Sequence, residues 1–114
     1  YYRHIEFKIE GDAPSNVFYN YSKALNIVRI VQEAIANSIK HAQSKEIKIA
    51  SEMSEDQRWK ILITDNGNGF AYEHQKETSA GNGLANMKQR AAVSEIELTC
   101  ISITNKGTNI NLTI

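Results

Sequence analysis

Glu33 and Asn37 are two oxygen-bearing residues whose spacing suits a metal ion. The apolar pattern from about Ser22 to Ala42 predicts a long helix with Ser22 as its N-cap. Residues four apart on a helix lie on adjacent turns of one face. Carboxylate and amide oxygens suit Mg²⁺, which keeps most of its waters and takes few protein ligands besides phosphates. A solvated polar face is the ordinary alternative, and both interpretations stay open at this point.

Lys40 and His41 extend the same polar stripe by one turn. Their cationic or hydrogen-donating groups could meet phosphate oxygens. His41 alone is equally typical of a surface residue near a helix C-terminus, where its charge suits the helix dipole. On a helical wheel the stripe lies nearly opposite a predicted core face. That core face comprises Val28, Val31, Ile35, Ile39 and Ala42.

Asp65 ends a strand-like apolar run and is followed by two closely spaced glycines. The stretch D-N-G-N-G-F covers residues 65–70, so that one residue separates Gly67 from Gly69. Asn-Gly is good turn chemistry and favours tight hairpins, which gives a purely structural interpretation. The local sequence does not decide between a turn and a binding site.

A second glycine pair, Gly81 and Gly83, precedes a helix predicted to start at Gly83 or Leu84 and to end at Val93. Glycines let a backbone approach a ligand closely, and free N–H groups at a helix start attract anions. The alternative is a hinge beside a helix start. The stretch G-N-G-L is neither a P-loop nor a dinucleotide fingerprint, because it lacks Gly-Lys-Ser/Thr and no G-x-G-x-x-G follows a strand.

The rest of the pattern predicts the elements that hold these residues. Residues 4–10 alternate as a half-buried strand with Ile5, Phe7 and Ile9 inward. Further strands are predicted at 47–53 and 59–64, followed by a lid or binding loop at 66–82 and a closing hairpin at 96–114 with its turn at 105–107. About five strands and two or three helices predict an α/β two-layer sandwich, with a mixed, mostly antiparallel sheet and the helices on one face.

Length and composition limit the class of protein. A chain of 114 residues fits one domain, predicted here as 1–114. Thirteen basic and thirteen acidic residues balance, which gives no support for a role on nucleic acid or a membrane surface. Cys100, the single cysteine, is expected to be a small core residue. No apolar run approaches the roughly 20 residues that span a bilayer, and the start at Tyr1 indicates a piece of a longer chain.

Three stretches in fixed order carry a resemblance to a known family. They are R-I-V-Q-E-A-I-A-N-S-I-K-H-A at 29–42, I-T-D-N-G-N-G-F at 63–70 and G-N-G-L-A-N-M-K-Q-R at 81–90, with Gly-Thr at 107–108 before the last strand. The chain resembles the ATP-binding catalytic domain of bacterial sensor histidine kinases, which has the Bergerat fold of the GHKL superfamily. The likeness is greatest to the branch of NarX- and DesK-like kinases, which pair with LuxR/NarL-type response regulators.

The resemblance assigns the polar stripe of the long helix to Mg²⁺ and phosphate. Asn37 matches the family's Mg²⁺ ligand. Glu33 matches the acidic residue beside it, which is a general base in hydrolysing relatives and orients Mg²⁺-bound water in kinases. Lys40 and His41 match positions that face phosphates or ribose. These four residues are the catalytic candidates that the resemblance implies.

The resemblance also assigns the residues around adenine. Asp65 matches the carboxylate that accepts from the adenine amino group, and Thr108 matches a residue that supports the base through water. Gly67 and Gly69 would allow close approach to the purine and a hinge around it. An ionised carboxylate only accepts hydrogen bonds, so Asp65 would select adenine over guanine, which presents a carbonyl at that position.

The second glycine pair matches the family's lid end and phosphate cradle, formed by Gly81, Gly83 and Leu84. Two departures from the family pattern lie near it. The segment after the second helix reads A-A-V-S-E at 91–95 without a glycine, which leaves the helix end in question. The short lid carries only Lys76 as a certain cation, so its phosphate contacts are not assigned.

The family's reaction transfers the γ-phosphoryl group of Mg²⁺-ATP to a histidine on a separate helical dimerisation domain. The phosphoryl group then passes to an aspartate of a response regulator. The dimerisation domain is expected before Tyr1 in the parent protein, so the isolated chain is expected to bind ATP without phosphorylating itself. The resemblance implies a cytoplasmic domain without direct membrane contact and leaves open whether the parent is anchored in the bacterial inner membrane.

Three alternatives share these motifs. A serine-protein kinase of the anti-sigma-factor type has the same ATP site without the helical dimerisation domain. ATPase clamps of the gyrase or MutL kind usually have longer ATP domains and larger lids. A non-catalytic module would use the fold to bind a partner and no nucleotide, but the carboxylate, asparagine and glycine candidates are all retained together in this chain.

Overall fold

A five-stranded mixed sheet with two helices on one face makes up the part of the chain that the computed structural model describes, namely residues 5–11, 20–40, 45–56, 58–67, 82–103 and 107–114. In chain order the elements are β1 (Glu6–Gly11), α1 (Tyr21–Lys40), β2 (Glu46–Met53), β3 (Trp59–Asp65), α2 (Asn82–Val93), β4 (Glu97–Ile103) and β5 (Gly107–Thr113). The predicted α/β two-layer sandwich is confirmed, and every predicted strand and helix is present.

The strand order in the sheet is β1-β2-β3-β5-β4. β1 and β2 pair in parallel, whereas the other three pairs are antiparallel. Parallel neighbours need a crossover connection, which α1 supplies, while antiparallel neighbours can be joined by a hairpin. α1 therefore runs back along the sheet, and its last turns lie beside the C-terminal end of β3, where Ser38 hydrogen-bonds Asp65.

The hydrophobic core lies between the sheet and the helices. Alternate residues of a strand point to the same face, and the strand registers align Ile49, Ile63 and Ile110 in one row. The buried apolar side chains are Ile27, Ile30, Ala34, Ile47, Ile61, Ile63, Leu84, Met87, Ala91, Ile96, Ile110, Leu112 and Ile114. Cys100 packs against them as predicted, and burial raises the pKa of its thiol. Neither described helix is long and apolar enough to cross a bilayer.

α1 begins with Asn20 as its N-cap. The Asn20 side-chain oxygen accepts a hydrogen bond from the backbone N–H of Lys23 at 2.8 Å, and its carbonyl accepts from Ala24. A side-chain oxygen that accepts from the third helical N–H is the usual N-cap geometry. The prediction of Ser22 as N-cap is therefore wrong, because the helix starts before it.

The core face of α1 is rotated from the predicted one. Its fully buried residues are Ile27, Ile30, Ala34 and Ser38. Val28 is 51% exposed, and Ile39 is exposed too, so their predicted core positions are wrong. Ser38, a polar residue, can lie in the buried stripe because its hydroxyl has a partner in the sheet. Ala42, the last predicted core residue, lies outside the described residues.

β1 is an exposed edge strand. All of its residues are exposed, and Ile9 is 78% accessible, so the predicted burial of Phe7 and Ile9 is wrong, whereas Ile5 just before the strand packs against the core as predicted. Within the described residues α1 contacts β3 and α2 contacts β4, and β1 forms the edge of the sheet beyond β2. Alternation in the sequence thus identified a strand correctly, but burial depended on the position of that strand in the sheet.

α2 ends without glycine in a motif that usually contains one. Glu95 adopts a φ of 57°, the left-handed region that glycine normally occupies at this position. The N–H of Ile96 donates to the Ala91 carbonyl, and the N–H of Glu95 donates to the Ala92 carbonyl. These two bonds form a Schellman motif, with Ile96 and Ala91 both buried beside it. The helix end therefore keeps the usual geometry although glutamate stands where glycine is common.

Glu95→Gly should stabilise the chain, because a residue with a Cβ is strained at positive φ. We expect the free energy of unfolding to rise by about 0.5–1 kcal/mol. Relief of the backbone strain stabilises the folded chain, and the extra conformational entropy of glycine in the unfolded chain offsets part of this gain. Urea unfolding measures the change. Glu52→Gly, at an exposed position in β2, is the matched control and should destabilise instead. A loss of stability in both variants would contradict the assignment of strain to Glu95.

Candidate functional site

The candidate site lies at the end of the sheet where polar side chains interrupt the core face. The strand registers place Ile47, Asp65, Thr108 and Ser102 in one row across β2, β3, β5 and β4. The next row along the same face contains Ile49, Ile63, Ile110 and Cys100. Three adjacent strands thus change from apolar to polar side chains within one row, and α1 adds a fourth polar side chain above them.

The Asp65 carboxylate accepts three hydrogen bonds within the described residues. Its Oδ1 accepts from the backbone N–H of Gly67 at 3.0 Å and of Thr108 at 3.2 Å. Its Oδ2 accepts from the hydroxyl of Ser38 at 2.6 Å. A carboxylate offers about four acceptor positions, two on each oxygen. Among the described residues, one acceptor position therefore remains on Oδ2, which suits a single N–H donor of a ligand.

Ser38 was not among the predicted site residues. Its side chain is buried, with 5% of the residue exposed, and its Oγ also lies 3.1 Å from the Ala34 carbonyl oxygen. A hydroxyl has one proton, and the shorter, charge-assisted bond to a carboxylate takes it. A signal was present in the sequence, since Ser38 continues the buried line of Ile30 and Ala34 at helical spacing. Serine in such a line needs a partner inside the fold.

Asn66 and Gly67 fix the chain where it leaves β3. The Asn66 side-chain oxygen accepts from the backbone N–H groups of Lys45 at 3.0 Å and Glu46 at 2.9 Å, which ties this turn to the start of β2. Gly67 is buried and donates to Asp65. Because β3 pairs with β2 and β5, the Asn-Gly pair does not join two paired strands. The hairpin interpretation of this stretch is therefore wrong.

Gly107 and Thr108 bring β5 against the same carboxylate. Gly107 has a φ of 105°, and a Cβ at this position would overlap the carbonyl oxygen of Asp65. Only glycine permits that approach, which places the Thr108 N–H on the Asp65 side chain. The Thr108 hydroxyl lies 2.9 Å from the hydroxyl of Ser102, so it has a partner of its own.

Glu33 and Asn37 lie half-buried on the side of α1 that faces α2. They share a helix face with Asn26, whose side-chain amide donates to the Ser94 hydroxyl just after α2 at 2.7 Å. The polar stripe thus flanks the core face, and the prediction that it lies nearly opposite is wrong. Lys40 is exposed at the last described turn of the helix.

The glycine candidates are only partly within the described residues. Gly83 lies in the first turn of α2, close to the predicted start. Leu84 is buried in the core, so its backbone N–H is the part that remains for a ligand. His41, Gly69 and Gly81 lie outside the described residues.

Glu33 and Asn37 could contribute oxygens to a metal ion that is held mainly by the phosphates of a nucleotide. The described residues contain no group of three His, Cys, Asp or Glu side chains that could hold a metal ion. A Mg²⁺ ion that takes one amide oxygen together with phosphates and waters needs no such group. Asn37 and Glu33 carry oxygens of the required kind at the correct helical spacing.

The described residues form a two-layer α/β domain with a half-buried carboxylate at one end of the sheet. A family model described as "Histidine kinase-, DNA gyrase B-, and HSP90-like ATPase" matches residues 22–114. The chain belongs to this family.

The relatives with curated names are histidine kinases and sensor proteins. DegS, a signal transduction histidine-protein kinase/phosphatase of Bacillus subtilis (strain 168), is 35% identical over 89 residues, which are 77% of this chain and 23% of that protein. The sensor histidine kinase LiaS of the same strain is 32% identical, over 78% of this chain and 24% of its own length. The sensor protein VraS of Staphylococcus saprophyticus is 35% identical, over 76% of this chain and 24% of its own length. The chain therefore spans about a quarter of the length of these relatives.

Solved structures of histidine kinases share the fold. The histidine kinase domain of a blue-light activated kinase from Erythrobacter litoralis superposes with a TM-score of 0.77 at 21% identity, over 96% of this chain and 54% of that chain. The ATP-binding domain of PrrB from Mycobacterium tuberculosis gives a TM-score of 0.74 at 21% identity, over 99% of this chain and 81% of that chain. At these identities the likeness shows the fold alone.

Gly107→Ala should destabilise the site and the sheet together. The added Cβ would overlap the Asp65 carbonyl, and the positive φ adds strain, so we expect a loss of about 2 kcal/mol or more in the free energy of unfolding. Urea unfolding measures it. Asn109→Ala, at an exposed position of the same strand, is the control and should change stability by less than about 0.5 kcal/mol. Equal stability of the two variants would contradict the close approach.

Proposed function

We propose that this chain binds Mg²⁺-ATP and positions its γ-phosphoryl group for transfer to a histidine on a separate dimerisation domain. In this proposal residues 1–114 are a single ATP-binding catalytic domain of a two-component sensor histidine kinase. The observation that carries the proposal is the acceptor position that remains on Oδ2 of Asp65, on the polar row of the core face. The family match and the named relatives support it.

Adenine recognition is proposed for Asp65 and its neighbours. The exocyclic amino group of adenine would donate to Oδ2, whereas guanine would turn a carbonyl toward the same carboxylate. The two backbone N–H groups on Oδ1 support this assignment, because among the described residues Oδ1 accepts two hydrogen bonds and Oδ2 accepts one. Thr108 would support the base through water, with its hydroxyl oriented by Ser102. Gly67 and Gly69 would allow the backbone to lie along the purine.

Phosphate binding is proposed for the other end of the nucleotide. Mg²⁺, when bound, would neutralise charge on the phosphate oxygens, which phosphoryl transfer requires more than covalent help from the protein. Asn37 would be its protein ligand, and Glu33 would orient its water. Lys40 and His41 would face phosphates or ribose, as further catalytic candidates. The backbone N–H groups at the start of α2 would meet phosphate oxygens, with Gly81 at the lid end and Gly83 and Leu84 in the first turn.

The partners follow from the proposed reaction. The acceptor histidine would lie on a dimerisation domain in the parent protein, so the chain by itself is not expected to phosphorylate itself. A response regulator, proposed to be of the LuxR/NarL type, would receive the phosphoryl group, and the domain would act in the cytoplasm. The named relatives favour a histidine kinase over the serine kinase, the ATPase clamp and the non-catalytic module.

Asp65→Asn should weaken the binding of a non-hydrolysable ATP analogue by about tenfold or more, because a hydrogen bond to a charged acceptor contributes about 1.5–3 kcal/mol. Calorimetric titration measures the dissociation constant, with a GTP analogue in parallel. Asp56→Asn, an exposed aspartate in the β2–β3 hairpin, is the matched control and should bind as the wild type does. Equal binding of the ATP and GTP analogues by the wild-type chain would contradict adenine recognition at Asp65.

Asn37→Ala should weaken only the Mg²⁺-dependent part of binding. We expect the affinity for the ATP analogue to fall about tenfold in Mg²⁺ and to change little in EDTA, since a single amide ligand is lost. Titrations under both conditions give the two values. Asn111→Ala, on the exposed face of β5, serves as the control and should leave both unchanged. An equal loss of affinity with and without Mg²⁺ would contradict the assignment of Asn37 as the metal ligand.

A further inference from the structure

Ser38 donates a side-chain hydrogen bond to Asp65, the carboxylate that is proposed to recognise adenine. Its Oγ lies 2.6 Å from Oδ2 of Asp65, the oxygen on which the described residues leave one acceptor position. We propose that Ser38 is a positioning residue that sets the selectivity of the site for purines with a 6-amino group. This inference rests on the proposed function, since it concerns how the nucleotide site discriminates among bases.

Three donors from three different segments hold the carboxylate. The turn after β3 donates through Gly67, the start of β5 donates through Thr108, and α1 donates through Ser38. The N–H groups of Gly67 and Thr108 bind Oδ1. Of these three donors, Ser38 is therefore the one that holds Oδ2 in place. The last torsion of an aspartate side chain is broad and weakly restrained. Without the hydroxyl, Oδ2 is free to swing away from the position that faces the base.

Ser38 itself is held firmly enough to act in this way. It is buried on the core side of α1, one turn after Ala34, which is 1% exposed. The competing contact, the Ala34 carbonyl at 3.1 Å, accepts from the same single proton only when Asp65 does not. The carboxylate is the stronger acceptor and makes the shorter bond. The hydroxyl proton therefore points at Oδ2, and the remaining acceptor position of Oδ2 is turned away from α1.

The role predicts an effect that depends on the ligand. Oδ2 contacts the base through the 6-amino group, so its tilt matters for ATP and not for a purine that lacks that group. A serine that served only to fill space or to stabilise α1 would change the binding of both nucleotides equally. The ratio of the two affinities thus separates positioning from packing.

The test compares ATP with purine riboside triphosphate, which lacks the 6-amino group, by calorimetric titration in Mg²⁺. Ser38→Ala removes the hydroxyl. Ser38→Cys keeps nearly the same shape but donates weakly. Ser51→Ala is the matched control, because it also removes a part-buried hydrogen bond. The Trp59 indole donates that bond to the Ser51 hydroxyl at 2.7 Å, near the other end of β3. Thermal unfolding of each variant records whether it is folded.

We expect the preference of the wild type for ATP over purine riboside triphosphate to fall about tenfold in both Ser38 variants, mainly through weaker ATP binding. The Ser51 control should keep the full preference. An unchanged or increased preference in the folded Ser38 variants, or an equal loss for both nucleotides, would overturn the inference while leaving the proposed function intact. Failure of the wild-type chain to bind either nucleotide would overturn the proposed function, and the role of Ser38 with it.

Discussion

A carboxylate on the core face of a β-sheet is the constraint on which the rest of this structure depends. Burial of a charged group is costly unless donors surround it. Asp65 finds its donors in α1, in the turn after β3 and at the start of β5. Each segment must approach the same two oxygen atoms, so the position of the crossover helix and the register of β5 are fixed together.

The close approach of β5 has its own requirement. The carbonyl of Asp65 leaves no room for a Cβ at Gly107, which is why glycine starts this strand and threonine follows it. The Asn66 side chain closes the turn on the other side, where it accepts from the start of β2. Described residues occupy three acceptor positions of the carboxylate and leave one position for a donor from outside. When the fold already satisfies most acceptor positions of a carboxylate, the site can select its ligand through one further hydrogen bond.

Much of the fold was predictable from local pattern. Strand alternation in β1, β4 and β5, the apolar run of β3, the long helix and the glycine-bearing stretches identified the elements and the α/β class, because periodicity reports which residues share a face. The errors have a common cause. The N-cap of α1 is Asn20 and not Ser22. Val28 and Ile39 are exposed, whereas Ser38 is buried. The residues of β1 are exposed. In each case a neighbour distant in sequence, or a polar partner, decided what the local pattern left undetermined.

The sequence by itself determined the order and type of the elements and the motifs that carry the family resemblance. Those properties depend on residue type and spacing, which the chain carries locally. The choice of Asp65, Gly67 and Thr108 as neighbours of one site was implied by that resemblance. Only the tertiary structure decided which oxygen of Asp65 remains available, and that Ser38 holds it. A serine in a helix is ordinarily a surface residue, and its pairing with a carboxylate 27 positions later is visible only when the crossover brings α1 over the end of β3.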